Sequence, residues 1–163
     1  MAMDIREWAG VGKDYLRDYA TEAYRYYARC GFPSYEHMRK AIYDCALEMS
    51  KRDFISVKGI HKPTEHAIIN AQAAVDQLCG QLDDIKAVEQ ALTIMKPEWR
   101  RAVELVYFIR PEGELDRGDI ESAVNRAEIE MPASRRAIYR WLQCARLAFA
   151  VERGLRLPED AGI

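Results

Sequence analysis

Apolar residues recur at spacings of three and four along most of the chain, the period of an amphipathic α-helix, while alternating β-branched runs are scarce. The fold expected is all-α, a helical bundle. A first helix is predicted from Lys13 to Arg29, with Tyr15, Leu16, Tyr19, Ala20, Ala23, Tyr24 and Tyr27 on its apolar side. Cys30-Gly-Phe-Pro-Ser34 ends it, and Ser34 is placed to cap a second helix whose buried stripe would be Tyr35, Met38, Ala41, Ile42, Cys45 and Met49. Residues 51–63 have no period and read either as a loop or as a short strand near Phe54-Ile-Ser-Val57.

From Thr64, itself placed as a cap, to Met95 runs a long helical pattern through Ile68, Ala71, Val75, Leu78, Leu82, Ile85 and Leu92. Gly80 near its middle costs about 1 kcal/mol against alanine, so one long helix and a pair of shorter ones both fit. Pro97 suits the first turn of a new helix, with Trp99, Ala102, Val103, Val106 and Ile109 on one face. Arg110-Pro-Glu-Gly113 breaks the chain again, and a helix follows from Asp116 to about Glu130. The organisation expected is a helical body over 1–95, a DNA-binding portion over 96–157 and a frayed tail over 158–163, or one compact domain throughout.

The stretch from Pro132 to Phe149 carries the most chemistry. Ser134 can accept from backbone N–H groups two or three residues on, which starts a helix there. At about 100° per residue, Ile138, Trp141, Leu142, Ala145, Ala148 and Phe149 gather on one side. Arg136, Arg140 and Gln143 lie opposite, flanked by Tyr139 and Arg146. Guanidinium and amide groups pair bidentately with guanine and adenine edges in a major groove, so this reads as a recognition helix. Arg135, at the helix start, and Arg146, on the flank, are placed for phosphate contacts, which set register without reading sequence. The DNA-binding residues expected are therefore Ser134, Arg135, Arg136, Tyr139, Arg140, Gln143 and Arg146. The plain alternative is a solvated charged face.

Charge sharpens this picture. The net charge of −2 over 163 residues argues against a nucleic-acid partner until it is counted by segment. From Glu112 to Glu130 seven acids face two arginines, whereas from Pro132 to Arg156 six arginines face one acid, Glu152. A composition of 49% hydrophobic and 31% charged residues is that of an ordinary globular chain. Cys30, Cys45, Cys79 and Cys144 form no Cys-x-x-Cys pair, so neither zinc nor a local disulfide is expected, and reduced thiols in a cytoplasm are the simplest reading. His37, His61 and His66 make no ligand set, and no phosphate loop, nucleophile elbow or paired-carboxylate motif is present. No catalysis, cofactor or metal is expected. No apolar run reaches the roughly 20 residues of a membrane span, and the first residues have no signal-peptide core, so no membrane partner is expected.

Tyr15, Tyr19, Tyr24, Tyr26 and Tyr27, interleaved with Arg17, Arg25 and Arg29, have two readings. They could stack the bases of single-stranded RNA, or bury their rings and leave hydroxyls at the rim.

The pattern Ala91-Leu-x-x-Met95-x-Pro-x-x-Arg100-x-x-Val103-x-Leu-x-Tyr107, followed by Ser134-Arg-Arg-Ala-Ile-Tyr-Arg-Trp141, resembles the region-4 helix-turn-helix of bacterial sigma factors. It departs from that pattern between Asp119 and Ala133, which is longer than a compact turn. With its opening Met3-Asp-Ile-Arg-Glu-Trp-Ala-Gly10 and its size, the whole chain resembles the antitermination Q proteins of lambdoid bacteriophages, of the phage 21 class. That resemblance implies a non-enzymatic factor in the cytoplasm of a bacterial host, bound to a duplex DNA element that overlaps a late promoter. It further implies engagement of host RNA polymerase holding sigma at a promoter-proximal pause. The factor would then travel with the elongating enzyme and suppress termination by narrowing the RNA exit channel, with nascent RNA as a further partner.

Overall fold

In the computed structural model the described residues are 9–56, 63–116 and 118–156, and they form helices without a strand. In chain order these are α1 (Ala9–Arg29), α2 (Tyr35–Ser56), α3 (Pro63–Gln77), α4 (Cys79–Ile94), α5 (Pro97–Val106), α6 (Asp119–Glu130) and α7 (Arg135–Glu152). The fold is all-α. Residues 3–8 of the opening motif, Val57 and the 158–163 tail lie outside the described residues.

Local signals account for several helix ends. The Ser34 hydroxyl accepts from the His37 N–H at 3.1 Å, and the Ser134 hydroxyl accepts from the Ala137 N–H at 3.2 Å. Pro97 opens α5. The end of α1 is a paired closure in which the Phe32 N–H donates to Tyr27 O at 3.1 Å and the Gly31 N–H to Ala28 O at 3.0 Å. Gly31 supplies the left-handed φ of 81° that this closure requires, and the Phe32 ring sits 5.9 Å from that of Tyr27, the apolar contact that usually accompanies it.

Several expectations are corrected. The strand near Phe54 is the last turn of α2, because the helix continues to Ser56. The 64–95 pattern is two helices, with a turn at Leu78 where its N–H donates to Val75 O at 3.2 Å; Gly80 lies in the first turn of α4. Helix α3 begins at Pro63, so Thr64 lies inside it. Helix α5 stops at Val106, before Ile109, and α6 starts at Asp119 instead of Asp116. The long middle segment of the sigma-like pattern is α6 itself; the connection to α7 is only residues 131–134.

The chain divides into two compact units, residues 33–86 and the remainder, 9–32 with 87–156. The boundary expected near residue 95 therefore falls inside the second of these. The reason is that α1 belongs with α7: the Tyr24 hydroxyl donates to Ala145 O at 2.6 Å, and the Tyr24 and Tyr19 rings lie 6.0 and 5.8 Å from Phe149. Around them Val88, Ala91, Leu92, Val103, Val106, Val124, Ile138 and Leu142 are buried.

In the 33–86 unit α2 and α3 pack as a helical hairpin. Small residues, Ala67 and Ala71, with Val75, line the buried side of α3, while the Lys86 ammonium stands 5.2 Å over the Tyr35 ring. The stripe expected to be buried on α2 is only partly covered: Tyr35, Met38 and Ile42 are half-buried, whereas Ala41 and Cys45 are exposed and Met49 is 60% exposed. Ile68, on the expected stripe of α3, is also exposed. A helix that packs chiefly on one other covers only part of its apolar face.

Candidate nucleic-acid interface

Three helices build the site. Helices α5, α6 and α7 pack on one another, and Met131, buried in the connection between α6 and α7, anchors the turn. Ala102, Val103 and Val106 of α5 and Ala123, Val124 and Ala127 of α6 are buried together with Ile138, Leu142, Ala145, Ala148 and Phe149 of α7. Two helices joined by a four-residue turn on a third is the arrangement that lets one helix project an outer face. Of the apolar side read from the sequence, Trp141 alone remains half-exposed.

On the outer side of α7, Arg136, Arg140 and Gln143 are exposed and Tyr139 is 38% exposed. Among the described residues no hydrogen bond or ion pair engages Arg136, Arg140 or Gln143. Their spacing of four and three residues spans about 10 Å along the helix axis, roughly three base-pair steps of 3.4 Å. Two guanidinium groups and a carboxamide thus form a row of uncommitted donors, with one amide oxygen as acceptor.

The other arginines read from the sequence are committed. Arg146 donates to the Tyr107 hydroxyl at 2.7 Å, and Tyr107 is 1% exposed, so this side chain joins α7 to the end of α5. The Arg135 guanidinium is ion-paired with Glu121 of α6, and its backbone N–H donates to Glu128 Oε1 at 2.7 Å. The Glu121 carboxylate, then the Tyr139 hydroxyl, hold the Arg135 guanidinium above its usual range. Ser134 is spent on the cap. The seven residues chosen from the sequence therefore separate into an open row, Arg136, Arg140 and Gln143, and a framework, Ser134, Arg135 and Arg146, with Tyr139 beside Arg135 between the two.

Sequence reasoning missed Arg25. It is 2% exposed, and its guanidinium donates to four backbone carbonyls: Tyr107 O at 3.1 Å, Ile109 O at 3.0 Å, Arg110 O at 2.8 Å and Gly113 O at 2.8 Å. Burial pulls its pKa down from the usual arginine range, while nearby Glu22 opposes that shift. Arg29 adds a bond from Nε to Pro111 O at 3.0 Å. Together they hold residues 107–113 of the connection between α5 and α6, in which Arg110 takes a left-handed φ of 44°. The only sequence signal was that Thr21 and Ala28, small residues one turn to either side of Arg25, widen the buried face of α1. Tyr24 and Tyr27 are likewise buried, which removes them as stacking platforms. Burial raises the Tyr24 phenol well above its usual range, Tyr107 adds to the shift and Arg146 opposes it, so the hydroxyl remains a donor.

A cleft of about 950 Å³ lies between α1, the 112–118 segment and α7, and carries Arg17, Arg146, Glu112, Glu114 and Asp116. Among the described residues no group of His, Cys, Asp and Glu side chains is arranged to hold a metal ion. The four cysteines are free, and no described helix is long and apolar enough to cross a membrane. Comparisons of the chain with protein-family models, with curated proteins and with solved structures gave no match.

Proposed function

We propose that this protein is a sequence-specific duplex-DNA-binding transcription factor whose α7 enters the major groove, with Arg136, Arg140 and Gln143 reading base edges. The observation that carries this is the row of three unpaired, exposed donor side chains on a helix whose opposite face is fixed in a core. Arginine and glutamine are the side chains that read guanine and adenine bidentately. Their solvated guanidinium and amide groups need no internal bond to be broken before they do so.

The resemblance to the Q proteins extends this reading to its consequence. In that reading the factor binds its element near a late promoter, loads onto host RNA polymerase with sigma, and suppresses pausing and termination as the enzyme elongates. Nascent RNA passing the complex is the further partner.

The test is transcription through an intrinsic terminator placed well downstream of a DNA element selected by the protein from random duplexes. Readthrough confined to templates with that element is expected. Arg140→Ala should weaken binding by about 1–3 kcal/mol at particular base pairs while leaving others unchanged. A rise in initiation alone would limit the protein to promoter activation, and uniform weakening across all sequences would remove Arg140 as a base reader.

A further inference from the structure

The α7 face offers DNA fewer charges than its sequence does. Arg135 stands directly beside Arg136 at the start of α7, on the edge of the open row, yet it is held by Glu121 across the α6–α7 turn. Both partners are largely in solvent, Arg135 with 43% and Glu121 with 60% of the side chain exposed. An exposed pair of this kind is worth little in free energy, so it orders the side chain without locking it. A DNA phosphodiester, like a carboxylate, carries one negative charge on two oxygens that can accept together from the guanidinium fork. The two compete for one group.

We propose that Glu121 is a built-in competitor for Arg135, so that the protein exchanges one internal ion pair for one DNA phosphate as it binds. This rests on the assignment of α7 to duplex DNA. The consequence is selectivity. Binding to arbitrary DNA depends on the number of phosphates neutralised, and Glu121 removes one from that count, whereas the base-reading Arg136 and Arg140 are left free. Only a duplex that satisfies the open row seats the backbone where it can displace Glu121.

The experiment measures affinity of the full chain for a labelled duplex of random sequence between about 50 and 200 mM salt. It compares the unaltered protein with Glu121→Gln, Arg135→Gln and the double variant. Glu121→Gln should bind random DNA several-fold more tightly at the low end and steepen the logarithmic salt dependence by about 0.9, one phosphate. In the Arg135→Gln background the same substitution should change neither. An equal gain in both backgrounds would reduce Glu121 to general repulsion and overturn the proposal, as would no gain in either. Failure of the unaltered protein to bind any duplex, a selected one included, would instead remove the DNA assignment itself.

Discussion

In the unit formed by α1, the second half of α4 and α5 to α7, the Tyr24, Tyr107 and Phe149 rings are no more than 1% exposed. In the 33–86 unit the buried set is Ala67, Ala71, Val75, Leu82 and Ile85, and no described side chain of α2 joins it. Both are helical, and the helices of the second are the longer on average over α2 and α3. Helix length is thus no guide to how well a helix is held. What separates the two is the number of neighbours: α7 packs against α1, α5 and α6, whereas α2 packs chiefly against α3. A rigid platform under α7 is what a base-reading face needs, since donors must be placed to within a fraction of an ångström.

The unit that holds α7 is most sensitive at Arg25. Arg25→Ala leaves several carbonyls without a donor, each a loss of about 1–3 kcal/mol where water does not enter. The expected loss is roughly 4 kcal/mol, read as the opening free energy of α6 and α7 amides in hydrogen exchange; a loss under about 1 kcal/mol would show the connection to be held by other means. Leu142→Ala removes a fully buried side chain from the same unit and should cost roughly 3 kcal/mol by the same measurement. Met49→Ala, on the uncovered side of α2, should change the opening free energy of α2 and α3 amides by less than about 0.5 kcal/mol. An effect at Met49 equal to that at Leu142 would mean that the α2 face is covered in solution.

Much of the fold was legible because it is local. The caps at Ser34 and Ser134, Pro97 at the start of α5, and the two sides of α7 follow from residues within a turn or two of one another. The open row at Arg136, Arg140 and Gln143 was legible for the same reason. The commitments of Arg135 and Arg146 were not, because Glu121 and Tyr107 lie 14 and 39 residues away. The α2 stripe failed for a related reason: an amphipathic pattern tells which side seeks cover, and says nothing of whether a neighbour exists to supply it.

By itself the sequence determined that the chain is helical, where α2, α5 and α7 begin, and which side of α7 faces a core. These depend on hydrogen bonds and side-chain periods that close within four residues. Only the tertiary structure decided which arginines are available. Arg17, Arg25 and Arg29 share one helix, and Arg135, Arg136, Arg140 and Arg146 another. A guanidinium is neutralised, buried or left open by groups brought from distant parts of the chain, as Arg25 is by carbonyls 82 to 88 residues away. Charge counted along the sequence cannot see those partners, because they become neighbours only when the helices pack.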